Sequence, residues 1–279
     1  MSNAYSAAKN VFAGLGDSPY VGLDKSALAY QKIVSAFSKP ARLVLFYGEP
    51  GCGKTFLLQK IYADLKDKQK IVFFPRPFFA EGEMASALFH ELWGETKDNI
   101  KFEEIIAKCK ERSNLKSNLS DANNSNLDNQ IILLLDEAQL YPAPLVEKIR
   151  FLADSGLFKI LFTIHKTASE DALAKAHFQT RIWENIELRN STFAEVALYV
   201  QKELDLHGFG ERFRIFDKTA LRALHRFSGG NLRELNKLLY RFFELAEYYE
   251  EHRPTMLTSS KGVKQTLEMA ALAGEMINA

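Results

Sequence analysis

Eight consecutive residues carry the clearest chemistry in the chain: Gly48, Glu49, Pro50, Gly51, Cys52, Gly53, Lys54 and Thr55. They spell G-x-x-x-x-G-K-T, preceded by the apolar run Val44-Leu45-Phe46-Tyr47 and followed from Phe56 by helical spacing. Glycines at these positions let the backbone fold into a concavity of N–H donors that suits phosphate oxygens. Lys54 supplies a point charge for β- and γ-phosphates, and Thr55 a hydroxyl for Mg²⁺. A helix opening at Lys54 turns its unpaired N–H groups and positive dipole end to the same anion. The spacing therefore predicts a P-loop, with Gly48 through Phe56 as the binding stretch and ATP with Mg²⁺ as its ligands.

A second constellation follows the longest apolar run, Ile131-Ile132-Leu133-Leu134-Leu135, which ends in Asp136-Glu137-Ala138-Gln139. A strand apolar on both faces suits the centre of a parallel sheet, whose ligand groups lie at the C-terminal ends of its strands. Asp136 is the candidate for holding Mg²⁺, and Glu137 for polarising an attacking water. Such a carboxylate pair could also merely open a loop or cap a helix. Another apolar run from Phe158 ends in Thr163 and His165, two residues apart and so on one face if the strand continues. Either can touch a γ-phosphate or orient a water; an ordinary strand terminus is the alternative.

The elements that must position these groups alternate. Asp24 caps a helix with Leu28, Ile33, Val34 and Phe37 on one broad face, ended by Pro40. Then come strand Leu43–Tyr47, helix Lys54–Leu65, strand Ile71–Phe74, helix Glu83–Trp93 and a charged helix over Ile100–Arg112. After the Ile131 strand follow helix Pro144–Ala153, the Phe158 strand, helix Asp171–His177 and strand Trp183–Leu188. This order predicts an α/β fold with a parallel sheet sandwiched by helices. Thereafter alternation stops. Thr192-x-x-Glu195 is a capping box opening a helix with Val196, Tyr199, Val200 and Leu204 buried. A second helix spans Asp217–Phe227. A third starts at Asn231 with Leu232, Leu235, Leu239, Phe242 and Phe243 as its core stripe, which together predict an all-helical domain. Arg233 lies off that stripe, in a first turn where a cation opposes the dipole and a nearby anion would offset it.

The expected domains are an irregular N-terminal linker over 1–22, an α/β domain over 23–190, a helical domain over 191–249 and a tail over 250–279 with a weakly amphipathic helix at Val263–Met276. Ser- and Asn-rich residues 113–130 read as a mobile insertion, either a spacer or a partner-binding loop.

Composition bounds the function. With 279 residues, 47% of them hydrophobic and 21 of them Phe, the chain can bury a sizeable core. A formal net charge of +1 gives no global footprint for nucleic acid or membrane. Two cysteines, Cys52 and Cys109, make no disulfide framework and suit a reducing cytoplasm. The first ten residues lack the pattern of a signal peptide, and no apolar run approaches the roughly 20 residues of a membrane span. The six histidines show no metal-ligand spacing.

GEPGCGKT, ILLLDEAQ, FQTRI and GGNLR occur in that order, each at an element boundary. Together they resemble an AAA+ ATPase with a helical lid, and more narrowly the general secretion pathway protein A branch. The resemblance implies catalytic roles for Lys54 and Glu137, Mg²⁺ on Thr55 and Asp136, and His165 at the first-sensor position. It further implies Arg181 as an arginine finger on ATP held by a neighbouring subunit, though a surface salt bridge is the bland alternative for Arg181, and Arg233 as the lid sensor. A homo-oligomer, ring-shaped or nucleotide-dependent, would follow. Three functions compete: a cytoplasmic ATPase serving a cell-envelope machine for secretion, pilus assembly or DNA uptake, peripheral to the inner membrane through a protein partner; an ATP-dependent DNA-binding protein of the transposition-targeting or replication-initiation kind, with Arg212, Arg214, Arg222, Arg226 and Arg241 as a phosphate-tracking surface; and a nucleotide switch with negligible turnover.

Overall fold

A computed structural model describes residues 4–13, 20–117, 130–166 and 182–277. The expected helix Asp171–His177, Arg181 with the rest of the FQTRI stretch up to it, and most of the Ser/Asn-rich insertion lie outside the described residues. The chain divides into two compact units. One comprises Leu28–Pro50 and Lys54–Leu188; the other comprises Met1–Ala27, Gly51–Gly53 and Arg189–Ala279.

The first unit is built on a five-stranded, all-parallel sheet in the order β2-β3-β4-β1-β5. Its strands are β1 (Leu43–Gly48), β2 (Ile71–Phe74), β3 (Ile131–Leu135), β4 (Phe158–His165) and β5 (Ile182–Leu188). Burial follows position in the sheet. In β3 and β4 nearly every side chain is buried, as a strand covered on both faces requires, whereas edge strand β5 alternates and leaves Trp183 exposed. Helices α3 (Lys54–Leu65), α4 (Glu81–Trp93), α5 (Phe102–Ser117) and α6 (Ala143–Asp154) connect the strands. Met84, Leu88, Leu92, Val146, Ile149 and Leu152 join Leu133, Leu135, Ile160 and Phe162 in one core. At about 1.5–3 kcal/mol for each large apolar side chain removed from water, this core is what holds the strands in register. Helix α4 ends at Gly94, whose left-handed backbone (φ 73°) lets its N–H bond to the His90 carbonyl.

Three local expectations change. Helix α2 (Asp24–Phe37) buries Ala29, Ile33, Ala36 and Phe37 but leaves Leu28 exposed, because small Ala29 and Ala36 lie on the face that packs. Helix α5 runs to Ser117, five residues into the stretch expected to be an insertion. The N-terminal segment is helical over α1 (Ala4–Val11), not irregular: Tyr5, Ala8 and Phe12 recur at i, i+3 and i+7, and all three are buried.

That burial is within the second unit, a helical one. Phe12 stacks on Phe243 at 5.7 Å, and Lys9 pairs with Glu247 at 3.0 Å. Its other helices are α7 (Phe193–Leu206), α8 (Lys218–Ser228), α9 (Leu232–His252) and α10 (Ser260–Ala273). The capping box at Thr192 forms in both directions. The stripe of α9 is wider than its spacing suggested, with Leu238 and Ala246 buried beside Leu235, Leu239, Phe242 and Phe243. Val263, Leu267, Ala270 and Ala271 of α10 belong to the same core, so the tail helix is packed.

Among the described residues two carboxyls are buried in this unit, Glu195 in the capping box and Glu203. Glu203 on α7 is 4% exposed and its Oε2 has no hydrogen-bond partner. Burial pushes its carboxyl above the ordinary value, against the opposing pull of the His207 imidazole and the Tyr199 hydroxyl. A carboxyl raised in the folded state binds its proton more tightly there than in the unfolded chain. Ionisation therefore weakens the fold as pH climbs from the ordinary carboxylate value through the raised one. Glu203→Gln should raise Tm at pH 7 by the equivalent of about 1 kcal/mol. The gain should vanish below about pH 4, where both states of the wild type are protonated; an equal gain at every pH would assign the effect to packing instead.

Candidate functional site

Parallel strands deliver their C-terminal ends to one edge of the sheet, and five of the predicted residues meet there. β1 ends at Gly48, opposite His165 at the end of β4. The segment after β1 turns through Gly51 (φ 85°) and Gly53 (φ 101°), backbone angles that L side chains rarely adopt. α3 then opens at Lys54, which is 5% exposed. Its Nζ donates to the carbonyls of Gly48 (3.0 Å) and Glu49 (3.1 Å). Buried in this way, the ammonium is held at the mouth of the loop by two backbone carbonyl oxygens.

Asp136, the first residue after β3, is 1% exposed. Its Oδ2 accepts from the Thr55 hydroxyl at 2.6 Å, while Oδ1 accepts from the Glu137 N–H at 3.0 Å and from the Thr163 hydroxyl. Thr163, fully buried on β4, also accepts from the Glu137 N–H at 3.0 Å. A buried carboxylate without such donors would cost several kcal/mol, and here three donors, two of them hydroxyls, keep it satisfied. Thr55 and Asp136 together present hard oxygens, a donor set that fits Mg²⁺ completed by waters and phosphates. No cluster of three His, Cys, Asp or Glu occurs among the described residues, and an ion of that kind does not need one.

Glu137 has left-handed backbone angles, φ 53° and ψ 41°, in front of the 3₁₀ turn Ala138–Leu140. For a residue with a Cβ this costs roughly 1–2 kcal/mol. Its Oε2 lies 3.2 Å from Nε2 of His165 and accepts from Nε2 of Gln139. The Gln139 nitrogen lies in turn 3.4 Å from Nδ1 of His165. The two polar residues ending β4 thus divide between the two carboxylates: Thr163 serves Asp136 and His165 serves Glu137. Just beyond, burial and then the nearby Asp136 charge push the Tyr141 phenol well above its ordinary value, so it stays neutral.

Lys54, Thr55, Asp136, Glu137 and His165 are therefore brought together. Glu49, Pro50 and Phe56 flank the loop, Phe56 exposed and Cys52 buried. Arg233 belongs to the helical unit, exposed in the first turn of α9, where Asn231 accepts from its backbone N–H at 3.1 Å. Gln139 was not among the expected site residues. The signal was present in its position two residues after Glu137, but only the 3₁₀ turn reveals that this spacing folds back.

Residues 38–170 match a family model described as an AAA domain. No curated protein matches the sequence. In structure the chain is similar to a chain of Drosophila ORC bound to DNA, with a TM-score of 0.62 at 13% identity, covering 100% of this chain and 67% of that one. This is the AAA+ fold. Cdc6p from Pyrobaculum aerophilum has the same AAA+ fold, with a TM-score of 0.58 at 16% identity over 87% of this chain and 66% of that one. So does the Aeropyrum pernix ORC1 protein in complex with DNA, at 0.57 and 16% over 94% and 69%. The chain thus spans about two thirds of the length of these AAA+ relatives in structure. Among the described residues no helix is long and apolar enough to cross a membrane.

Proposed function

We propose that this chain is an ATPase that hydrolyses ATP with Mg²⁺ and couples turnover to a macromolecular client. The observation that carries the reading is the convergence of Thr55, Asp136 and Glu137 at the C-terminal edge of a parallel sheet, directly beyond a buried P-loop lysine. Lys54 would exchange its two carbonyl acceptors for β- and γ-phosphate oxygens. Thr55 and Asp136 would hold Mg²⁺, which when bound neutralises charge building on the phosphates. Thr163 keeps Asp136 oriented. Glu137 would take up the proton of a water whose oxygen bonds to the γ-phosphorus as the bond to the β–γ bridging oxygen breaks, leaving ADP and phosphate.

Arg181 is assigned to the transferring phosphoryl group of a neighbouring subunit's ATP, and Arg233 to ATP within its own chain. A cation supplied in trans can be worth 10³–10⁵ in rate, which would make turnover depend on assembly. The expected result is Mg²⁺-dependent phosphate release that rises with protein concentration, a larger particle with ATP than without, and loss of the rate increase in Arg181→Ala. Release at background at every concentration, in the ATP-bound particle, would favour the nucleotide-switch reading.

Two clients fit. The four motifs support an envelope machine reached from the cytoplasm through a protein partner at the inner membrane. A DNA client is supported by the DNA-bound state of two of the structural relatives, Drosophila ORC and Aeropyrum ORC1, and by the arginines of the helical unit. Of these, Arg212 lies over the Tyr5 ring at 4.4 Å and Arg226 over Phe227 at 4.6 Å, so part of that set is engaged within the fold. A duplex shifted in mobility by the protein with ATP, less so as salt rises, is the outcome the DNA reading requires; no shift even at low salt would leave the envelope reading.

A further inference from the structure

We propose that Gln139 is a positioning residue for Glu137, holding one carboxylate oxygen beside His165 and leaving the other to accept from water. The inference rests on the ATPase reading above. Its basis is local. The 3₁₀ turn is closed by the Leu140 N–H on the Glu137 carbonyl at 2.9 Å and the Tyr141 N–H on the Ala138 carbonyl at 3.2 Å. This tight return folds the side chain two residues on back over the carboxylate.

The direction of the hydrogen bond between Gln139 and Glu137 is determined by chemistry. A carboxylate only accepts, so the group of Gln139 that meets Glu137 Oε2 is its amide nitrogen. The same nitrogen lies 3.4 Å from His165 Nδ1, and His165 Nε2 lies 3.2 Å from Glu137 Oε2. The Gln139 carbonyl oxygen is buried with no partner. The amide therefore keeps this orientation for the sake of the groups on its nitrogen side, since turning it over would set oxygen against oxygen.

The Gln139 donor reaches Oε2, with His165 Nε2 beside it, and the Glu137 side chain stays 30% exposed. Oε1 is the oxygen left to take a proton from water. The Gln139 donor also keeps the side chain from swinging about a backbone already in a left-handed conformation, which is the preorganisation that a base aimed at one water requires.

The test uses Gln139→Met, which keeps length and removes the donor, with Gln139→Leu as the second variant. Each is assayed for kcat, KM for ATP and thermal stability. Positioning predicts a kcat lower by about tenfold or more, with KM and Tm unchanged, and no further loss when Gln139→Met is added to Glu137→Gln. Equal loss in the Glu137→Gln background would show that Gln139 does not act through Glu137 and would overturn the proposal. So would unchanged or faster turnover in both single variants, with the ATPase reading intact. Absence of turnover in the wild type would instead strike the ATPase reading itself.

Discussion

Glu137→Gln is expected to lower ATP hydrolysis by about 10²-fold or more, the scale of a lost general base, while ATP is still bound. The change is nearly isosteric and leaves the left-handed backbone and the Thr163 and Asp136 contacts of the residue's own N–H in place. What it removes is the capacity to accept a proton. Phosphate release in a single turnover, together with the affinity for a fluorescent ATP analogue, separates the two effects. Hydrolysis at the wild-type rate would mean that the attacking water is activated elsewhere, and Asp136, whose oxygens are already engaged by three donors, would be a poor substitute.

Lys54→Ala is expected to lose nucleotide binding as well as turnover. Charge-assisted hydrogen bonds to a phosphate are worth about 1.5–3 kcal/mol, which corresponds to a loss of affinity of roughly ten- to a hundredfold. The substitution also strips the Gly48 and Glu49 carbonyls of their buried donor. A thermal shift assay reads both effects. ATP at about a hundred times its Kd should stabilise the wild type by about 2.7 kcal/mol and the variant far less. Equal stabilisation would place the nucleotide away from the loop.

The two variants together distinguish an enzyme from a switch. An enzyme loses turnover in both and binding in one. A switch has no turnover to lose, yet still loses its ATP-dependent change in size with Lys54→Ala.

Much of this organisation was legible in residue order. The strand, glycine-rich turn and helix around Lys54 could be read because each element has its own periodicity and the turn demands glycine. β3 could be read because five apolar residues in a row suit a covered strand. The order of the strands could not: parallel neighbours are chosen by crossovers, and nothing in Leu43–Gly48 says that it lies between β4 and β5. The helix at Ala4–Val11 was obscured by the glycines and proline that follow, although the spacing of Tyr5, Ala8 and Phe12 carried it. At the site, Asp136 and Glu137 were visible as types, and the division of Thr163 and His165 between them was not. That division depends on the continuation of β4 to His165 and on the backbone twist at Glu137, a conformation that no side-chain pattern announces.

The Ser- and Asn-rich stretch enters the sheet at Ile131, the opposite end of β3 from Asp136. At about 3.3 Å per residue, five strand residues put roughly 17 Å of hydrogen-bonded backbone between that entry point and the carboxylates. Ile132 and Asp136 are anchored to β2's side of the sheet by their N–H groups, on the carbonyls of Lys70 and Phe74. The sheet thus separates the candidate site from whatever precedes β3, and the end at Asp136 keeps its register through these backbone bonds. Variation in a protein of this kind can then accumulate on one rim of the sheet at little cost, while the other rim, where β1, β3 and β4 end at or next to Gly48, Asp136 and His165, has far less freedom to change.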